Sequence, residues 1–227
     1  IVTKSKADTV NSIGYKLGSY NQQQASGTLG TNLKNTTLIG HASVNASDGY
    51  RYNTDFENQN YFVKGRFNTT TNPIDVIGYF SERKFGANQF YAVQSGYDQY
   101  EETQTSLVAL SADYGSENVM IKPRIYWRRN QDMYLFIREN PSYYRNLHIS
   151  NTIGAEANIE ATTNAGKTGI GVDFFKSSMF LIRLSKVSNK TIYVLGRPRP
   201  NNVDSDGWSC WTSRRSRKFP VLCLFRR

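Results

Sequence analysis

Between Asn151 and Thr163 the chain alternates without a fault. Ile153, Ala155, Ala157, Ile159 and Ala161 share one parity; Gly154, Glu156, Asn158, Glu160 and Thr162 share the other. Successive side chains of a strand point to opposite faces, so this segment makes a strand with one apolar and one polar face. After the turn Thr163-Asn164-Ala165-Gly166 the pattern resumes, with Ile170, Val172 and Phe174 opposite Gly169, Gly171 and Asp173. From Val119 it repeats, with Val119, Ile121, Ile125 and Trp127 opposite Lys122, Arg124, Tyr126 and Arg128. Pro123 falls on the apolar parity and lacks an amide donor, which predicts a bulge there. Further strands are predicted at Ser12–Tyr20, Thr28–Lys34, Thr37–Ser47, Asn60–Asn68, Ile74–Arg83 and Thr105–Tyr114. No useful helical i, i+3, i+4 stripe and no fixed-period repeat accompany them, so the expected fold is all-β.

The predicted strands run to roughly 9–13 residues, against about 5–6 in ordinary globular sheets. Their connections alternate in length. Short ones fall near 32–36, 69–73, 115–118 and 163–166; long ones span Asp48–Gln59, Phe85–Thr103 and Asp132–Ser150. Long two-faced strands with alternating short and long connections fit an antiparallel transmembrane β-barrel, its apolar face to lipid and its polar face to the lumen. Tyr61, Phe80, Tyr114 and Trp127 are expected near strand ends, as an interfacial girdle. A soluble β-sandwich or a small complete barrel, acting as a binding or adhesion module, alternates too. The strand length and the faces filled with charge (Glu156, Glu160, Lys122, Arg124) count against the sandwich.

The net charge of +10 invites a nucleic-acid reading, until its location is considered. Residues 1–175 hold 16 Lys/Arg and 16 Asp/Glu; residues 176–227 hold 12 Lys/Arg against Asp204 and Asp206. The last 52 residues also hold both cysteines, Cys210 and Cys223, and Trp208 and Trp211, whereas 14 of 15 tyrosines lie before them. The body is therefore neutral, and the expectation excludes nucleic acid as its partner. The basic run Arg214-Arg215-Ser216-Arg217-Lys218 belongs to an atypical tail, read as a foreign, out-of-frame continuation from about residue 176. No run of about 18 apolar residues supplies a transmembrane helix. Without cysteine in the body there is no disulfide framework or thiolate metal site there.

Ile1-Val2-Thr3-Lys4 matches the end of the strand that closes the plug domain of TonB-dependent outer-membrane receptors. Thr37-Leu38-Ile39-Gly40-His41-Ala42-Ser43, with Ser47-Asp48-Gly49-Tyr50-Arg51 and Asn53-Thr54-Asp55-Phe56, resembles an early barrel strand and loop of the vitamin B12-receptor-like branch. Gly169-Ile170-Gly171-Val172-Asp173-Phe174 resembles a later strand of that branch. The resemblance implies three segments: 1–8 as the end of the plug running into the barrel, 9–175 as a partial antiparallel barrel of about eight or nine strands, and 176–227 outside the family pattern. It implies a bacterial outer-membrane location and uptake of a scarce ligand, such as a corrinoid, siderophore or glycan. The implied partners are outer-membrane lipid and, in the intact family member, the plug domain, TonB and the small-molecule ligand. It implies no enzymatic activity and no cofactor.

The residues themselves agree that no catalytic constellation is spelled out. His41 is placed in a strand and His148 in a long loop, neither beside a nucleophile. Gly169-x-Gly171 lacks the third glycine and following helix of a dinucleotide turn. Asp48, Asp55 and Glu57 supply oxygen ligands in one loop, but their spacing matches no Ca²⁺ motif, and a solvated loop is expected with no metal. The candidate ligand contacts are loop aromatics, Tyr50, Tyr52, Phe90, Tyr91, Tyr97 and Tyr134, since rings with a polar tip give contact area at small entropic cost. Lumen-facing Lys64, Arg66, Lys122, Arg124 and Arg128 attract an anionic ligand or pair with carboxylates of a plug or of Glu156 and Glu160.

Overall fold

The computed structural model describes residues 11–67, 72–90, 96–116, 118–163, 166–187 and 190–195. Every regular element among them is a strand: β1 (Ser12–Leu17), β2 (Gln23–Leu33), β3 (Thr36–Ser47), β4 (Phe56–Phe67), β5 (Ile74–Gly86), β6 (Tyr100–Ala112), the two-residue β7 (Tyr114–Gly115), β8 (Val119–Leu135), β9 (Tyr144–Thr163), β10 (Gly166–Val187) and β11 (Lys190–Leu195). They form one antiparallel sheet, ten strands following chain order and β7 pairing with β8. β1 and β11 do not pair, so the sheet is open. The architecture is that of a partial barrel wall, with ten strands along the sheet where the resemblance implies eight or nine.

The observed faces follow the alternation. Register carries the parity of Ile39 through Lys64 and Ile77 to Ala109, and that of Arg128 through Thr152 to Ser177, defining an inner, mostly polar face. The outer face carries Val44, Val63, Val76, Val108, Ile125, Ile153 and Ile170, all exposed, Ile125 at 55%, Ile153 at 61% and Ile170 at 63%. The buried set is the reverse of a soluble protein's: hydrophobic Ile39, Ala87 and Leu135 against polar Thr37, Lys64, Ser81, Gln99 and Glu101.

The outer apolar stripe stops at a similar height on strand after strand. On β4 it runs from Phe67 to Tyr61 before Gln59, on β5 from Ile74 to Phe80 before Glu82, and on β8 from Val119 to Trp127 before Arg129. On β9 it runs from Ala161 to Ile153 before Asn151, and on β10 from Ile170 to Phe174 before Lys176. At about 3.3 Å per residue the belt is roughly 20–27 Å along β4, β5, β8 and β9 and about 13 Å on β10. Above it lies a polar ladder. Gln131 donates to Gln104 (3.0 Å), Gln104 to Glu82 (2.7 Å), and the Tyr61 hydroxyl to Gln59 (3.1 Å).

Three expectations are corrected. Tyr61, Phe80 and Trp127 lie mid-strand, not near strand ends, because the strands run on past the belt; Tyr61 and Phe80 stack at 6.3 Å at its edge. The long connections shrink to 48–55, 87–99 and 136–143, since strand beyond the belt has no reason to keep an apolar face and the alternation that reveals it disappears. Pro123 makes no bulge. Register is the same on both sides of it, and the ladder is instead interrupted between Ser111↔Arg124 and Tyr114↔Ile121, with the Asp113 amide donating to the Pro73 carbonyl (3.0 Å). β10 passes residue 175 unbroken and pairs with β9 as far as Ser185↔Tyr144. The plug-like residues 1–8 and the tail from 196, with Cys210, Cys223, Trp208, Trp211 and the basic run, lie outside the described residues.

The short connections turn tightly. Lys34, in the β2–β3 turn, takes the left-handed region at φ 34°. Gly115 has φ 144° and its absent Cβ would run into the Val119 carbonyl oxygen, while the Ser116 amide closes the turn on that oxygen (2.8 Å). On the inner face, the ring of Tyr126 lies across Gly154, its partner on β9, in the space a Cβ would fill.

Candidate functional site

The inner face carries its charge toward the short-turn end. Lys64 is 3% exposed and its Nζ lies 3.3 Å from Asp75, which Arg66 also approaches at 3.7 Å; Arg66 reaches Asp113 at 3.6 Å. Lys122 meets Glu160 at 2.8 Å and Arg124 meets Glu156 at 2.9 Å, each pair one register step from the directly opposed residue or on it. The sequence groups Lys64, Arg66, Lys122, Arg124 and Arg128 on one face, and the structure brings them there. Four of the five meet carboxylates of the sheet itself; Arg128 is exposed beside them. Between the two charged groups, half-buried Phe62, Ile77, Tyr79 and Leu107 make an apolar strip.

The long connections gather at the opposite end and are stitched together. Arg138 from 136–143 makes a bidentate pair with Asp55 from 48–55, both bonds 2.9 Å, and its guanidinium lies 4.7 Å from the Tyr100 ring centroid. A fork on a carboxylate fixes orientation as well as distance. The Asp55 pair and the Tyr100 ring hold Arg138 firmly protonated, its pKa raised above the ordinary guanidinium value chiefly by the hydrogen bonds to Asp55. Asn53 Nδ2 donates to the Gln99 carbonyl (2.8 Å), the Ala87 amide donates to the same carbonyl (2.9 Å), and the Tyr134 hydroxyl donates to Gln99 Oε1 (3.0 Å). Gln99 is fully buried at the centre of this knot. Tyr52 donates its hydroxyl to Asp98 (2.6 Å), and this bond to a carboxylate raises its pKa above the usual phenol value.

The candidate aromatics divide. Tyr50, Tyr52, Phe90 and Tyr97 stand exposed on the loops, Tyr50 under the Arg51 guanidinium at 5.5 Å and Tyr97 against Phe136 at 5.4 Å, which in turn stacks on Tyr143. Tyr134 belongs to β8 rather than to a loop, half-buried, with Tyr144 edge-on at 6.3 Å. Tyr91 lies outside the described residues. Arg138, Asp98, Gln99 and Asn53, which hold the loops, were not singled out from sequence. Their partners lie 46 to 83 residues away, beyond any spacing rule.

Two recesses flank this end. One of about 650 Å³ opens under the loops between Asp48, Asp55, Glu57, Lys84, Tyr100 and Arg138. The acids of the sequence-level Ca²⁺ reading thus share their space with two cations, and among the described residues no three His, Cys, Asp or Glu side chains are grouped to hold a metal ion. The other, about 510 Å³, lies mainly on the inner face among Thr103, Asn130, Asp132, His148, Ser150 and Met179. Here His148 sits in β9, not in a loop, directly opposite Asp132. Among the described residues no side-chain hydrogen bond joins Asp132, His148 and Ser150, so the trio lacks the relay that activates a nucleophile. His41, in β3 as expected, lies 2.8 Å from the Thr28 hydroxyl.

The chain matches no protein-family model, no curated protein and no solved structure.

Proposed function

We propose that this chain forms part of the wall and ligand-facing loops of a bacterial outer-membrane β-barrel receptor of the TonB-dependent kind, without enzymatic activity. The observation that carries the reading is the bare outer belt. A single sheet presents apolar side chains on one face over roughly 20–27 Å along β4, β5, β8 and β9, edged by Tyr61, Phe80 and Trp127 and topped by a polar ladder. No second layer covers it among the described residues. In water such a face is far larger than the apolar patches soluble monomers expose; in a bilayer it matches the roughly 25 Å band of outer-membrane barrels. A polar inner face with internally paired charges fits a lumen wall. Its apolar strip at Phe62, Ile77, Tyr79 and Leu107 suits packing against a plug.

Ligand capture falls to the stitched loop end, where Tyr50, Tyr52, Phe90 and Tyr97 are exposed on a scaffold fixed by Arg138–Asp55 and Gln99. The ligand class consistent with the family resemblance is a scarce small molecule, whether corrinoid, siderophore or glycan. In the intact receptor, TonB would act through the plug.

The test is depth. A variant with Trp208→Phe and Trp211→Phe keeps Trp127 as its one tryptophan. Refolded into phosphatidylcholine vesicles whose acyl chains are brominated near the glycerol, it is expected to lose most of its Trp127 fluorescence. A chain that stays in the aqueous phase as a monomer with unquenched Trp127 is a soluble β-sandwich, and the membrane reading falls.

A further inference from the structure

We propose that Arg129 and Lys176, on the outer face at the upper edge of the belt, bind the phosphate of an anionic phospholipid. The inference rests on the membrane reading above and adds a lipid site to it.

Charge is segregated on this face. Along β4–β6 the two rows above the belt hold Glu82, between Gln59 and Gln104, and then Glu57, Lys84 and Glu102, with Lys84 2.9 Å from Glu82. Along β8–β10 the described outer positions hold Arg129, Arg145 and Lys176 and no carboxylate at all. The inner-face cations of the same strands behave differently: Lys122 and Arg124 each meet a glutamate. Among the described residues Arg129 and Lys176 thus lack the counter-ion their inner-face neighbours have.

Position supplies the rest. Trp127, Ile153 and Lys176 form one register row and Arg129, Asn151 and Ser178 the next. Arg129 and Lys176 are therefore two strand spacings and one row apart, roughly 10 Å by 7 Å. Two long side chains span that distance to a common anion, with the Asn151 amide and Ser178 hydroxyl between them as further donors. Trp127 and Ile153, just below, face the first methylenes of a lipid whose headgroup sits on the cations. Arg145 lies on the same face but in the row of Leu135, well above the belt, and is left out.

The full chain carrying only Trp127, refolded in equimolar phosphatidylcholine and phosphatidylglycerol, tests the site. One lipid is brominated at a time. Brominated phosphatidylglycerol is expected to quench Trp127 as if enriched by about fivefold for each cation at low ionic strength. Arg129→Gln with Lys176→Gln is expected to abolish the preference, and Arg145→Gln to keep it. Equal quenching by the two lipids in the parent, or a preference that survives the double substitution, overturns the proposal while leaving the membrane reading intact. No quenching by either lipid overturns both. Loss of the preference on adding inorganic phosphate at matched ionic strength assigns the site to free phosphate and overturns the lipid.

Discussion

The two ends of the sheet are built by different means. At the short-turn end, two- to six-residue connections fix the hairpins locally, Gly115 and Lys34 supply the backbone, and the inner-face cations meet carboxylates across one strand. At the loop end the connections reach 13 residues, and side chains reach 46 to 83 residues along the chain to hold them. Local geometry is robust because each turn stands alone. The loop end is tied together by side chains from three connections and depends on a few groups, so loosening one is felt by the others.

The comparison is broken most severely at the belt, which both ends share. Ile125→Arg or Ile153→Arg places a charge on the outer face, and each is expected to cost about 2–4 kcal/mol of folding into bilayers. Tyr50→Arg, on the loops, is expected to cost under about 0.5 kcal/mol. Urea titration of refolded vesicles compares them, and equal costs would dissolve the distinction between belt and loop. Gln99→Ala comes next. It removes the buried side chain that accepts from the Tyr134 hydroxyl while keeping the backbone carbonyl that Asn53 and Ala87 use, and so loosens the knot, at about 1–3 kcal/mol. Faster proteolytic cleavage within 87–99 and 136–143, with the short turns untouched, is the expected signature; uniform loosening of both ends would mean the ends are not separate. The smallest effect is one of pH. Tyr52 has a raised pKa because its neutral hydroxyl donates to Asp98. The stabilisation it lends is therefore complete below the ordinary phenol value near 10 and is lost as pH rises through the higher folded value. Tyr52→Phe should remove one late phenolate transition from the ultraviolet titration, and Asp98→Asn should move it down.

The same contrast governs what the sequence discloses. Period-two alternation named the faces of β8, β9 and β10, and Lys64, Arg66, Lys122, Arg124 and Arg128 share one face of the sheet, because an apolar stripe has to be written in every strand that carries it. It stopped at Trp127, Ile153 and Phe174, above which apolar and polar residues no longer keep to separate faces, with Ile149 and Phe180 on the outer face and Met179 on the inner one; the upper parts of β8 and β9 therefore read as loop, that of β10 as a foreign tail, and Tyr134 and His148 were misplaced. The change of composition at residue 176 coincides with the belt edge on β10: Lys176 is the first outer-face charge there, as Arg129 is on β8. The loop knot was invisible because Asp55, Gln99 and Arg138 carry no mutual spacing; only the fold makes them neighbours.

Alternation has one further weakness, which the ring of Tyr126 over Gly154 answers. A pattern of period two settles which side of a strand faces inward, but it is indifferent to a slide of two residues along its neighbour. β8 and β9 pair over 17 residues, long enough for several such slides to look alike. Only one alignment sets the bulky ring opposite the missing side chain; a slide either way would set Tyr126 against Glu156 or Thr152. The glycine is thus a notch that a single tooth fits, choosing among alignments the hydrophobic pattern cannot tell apart.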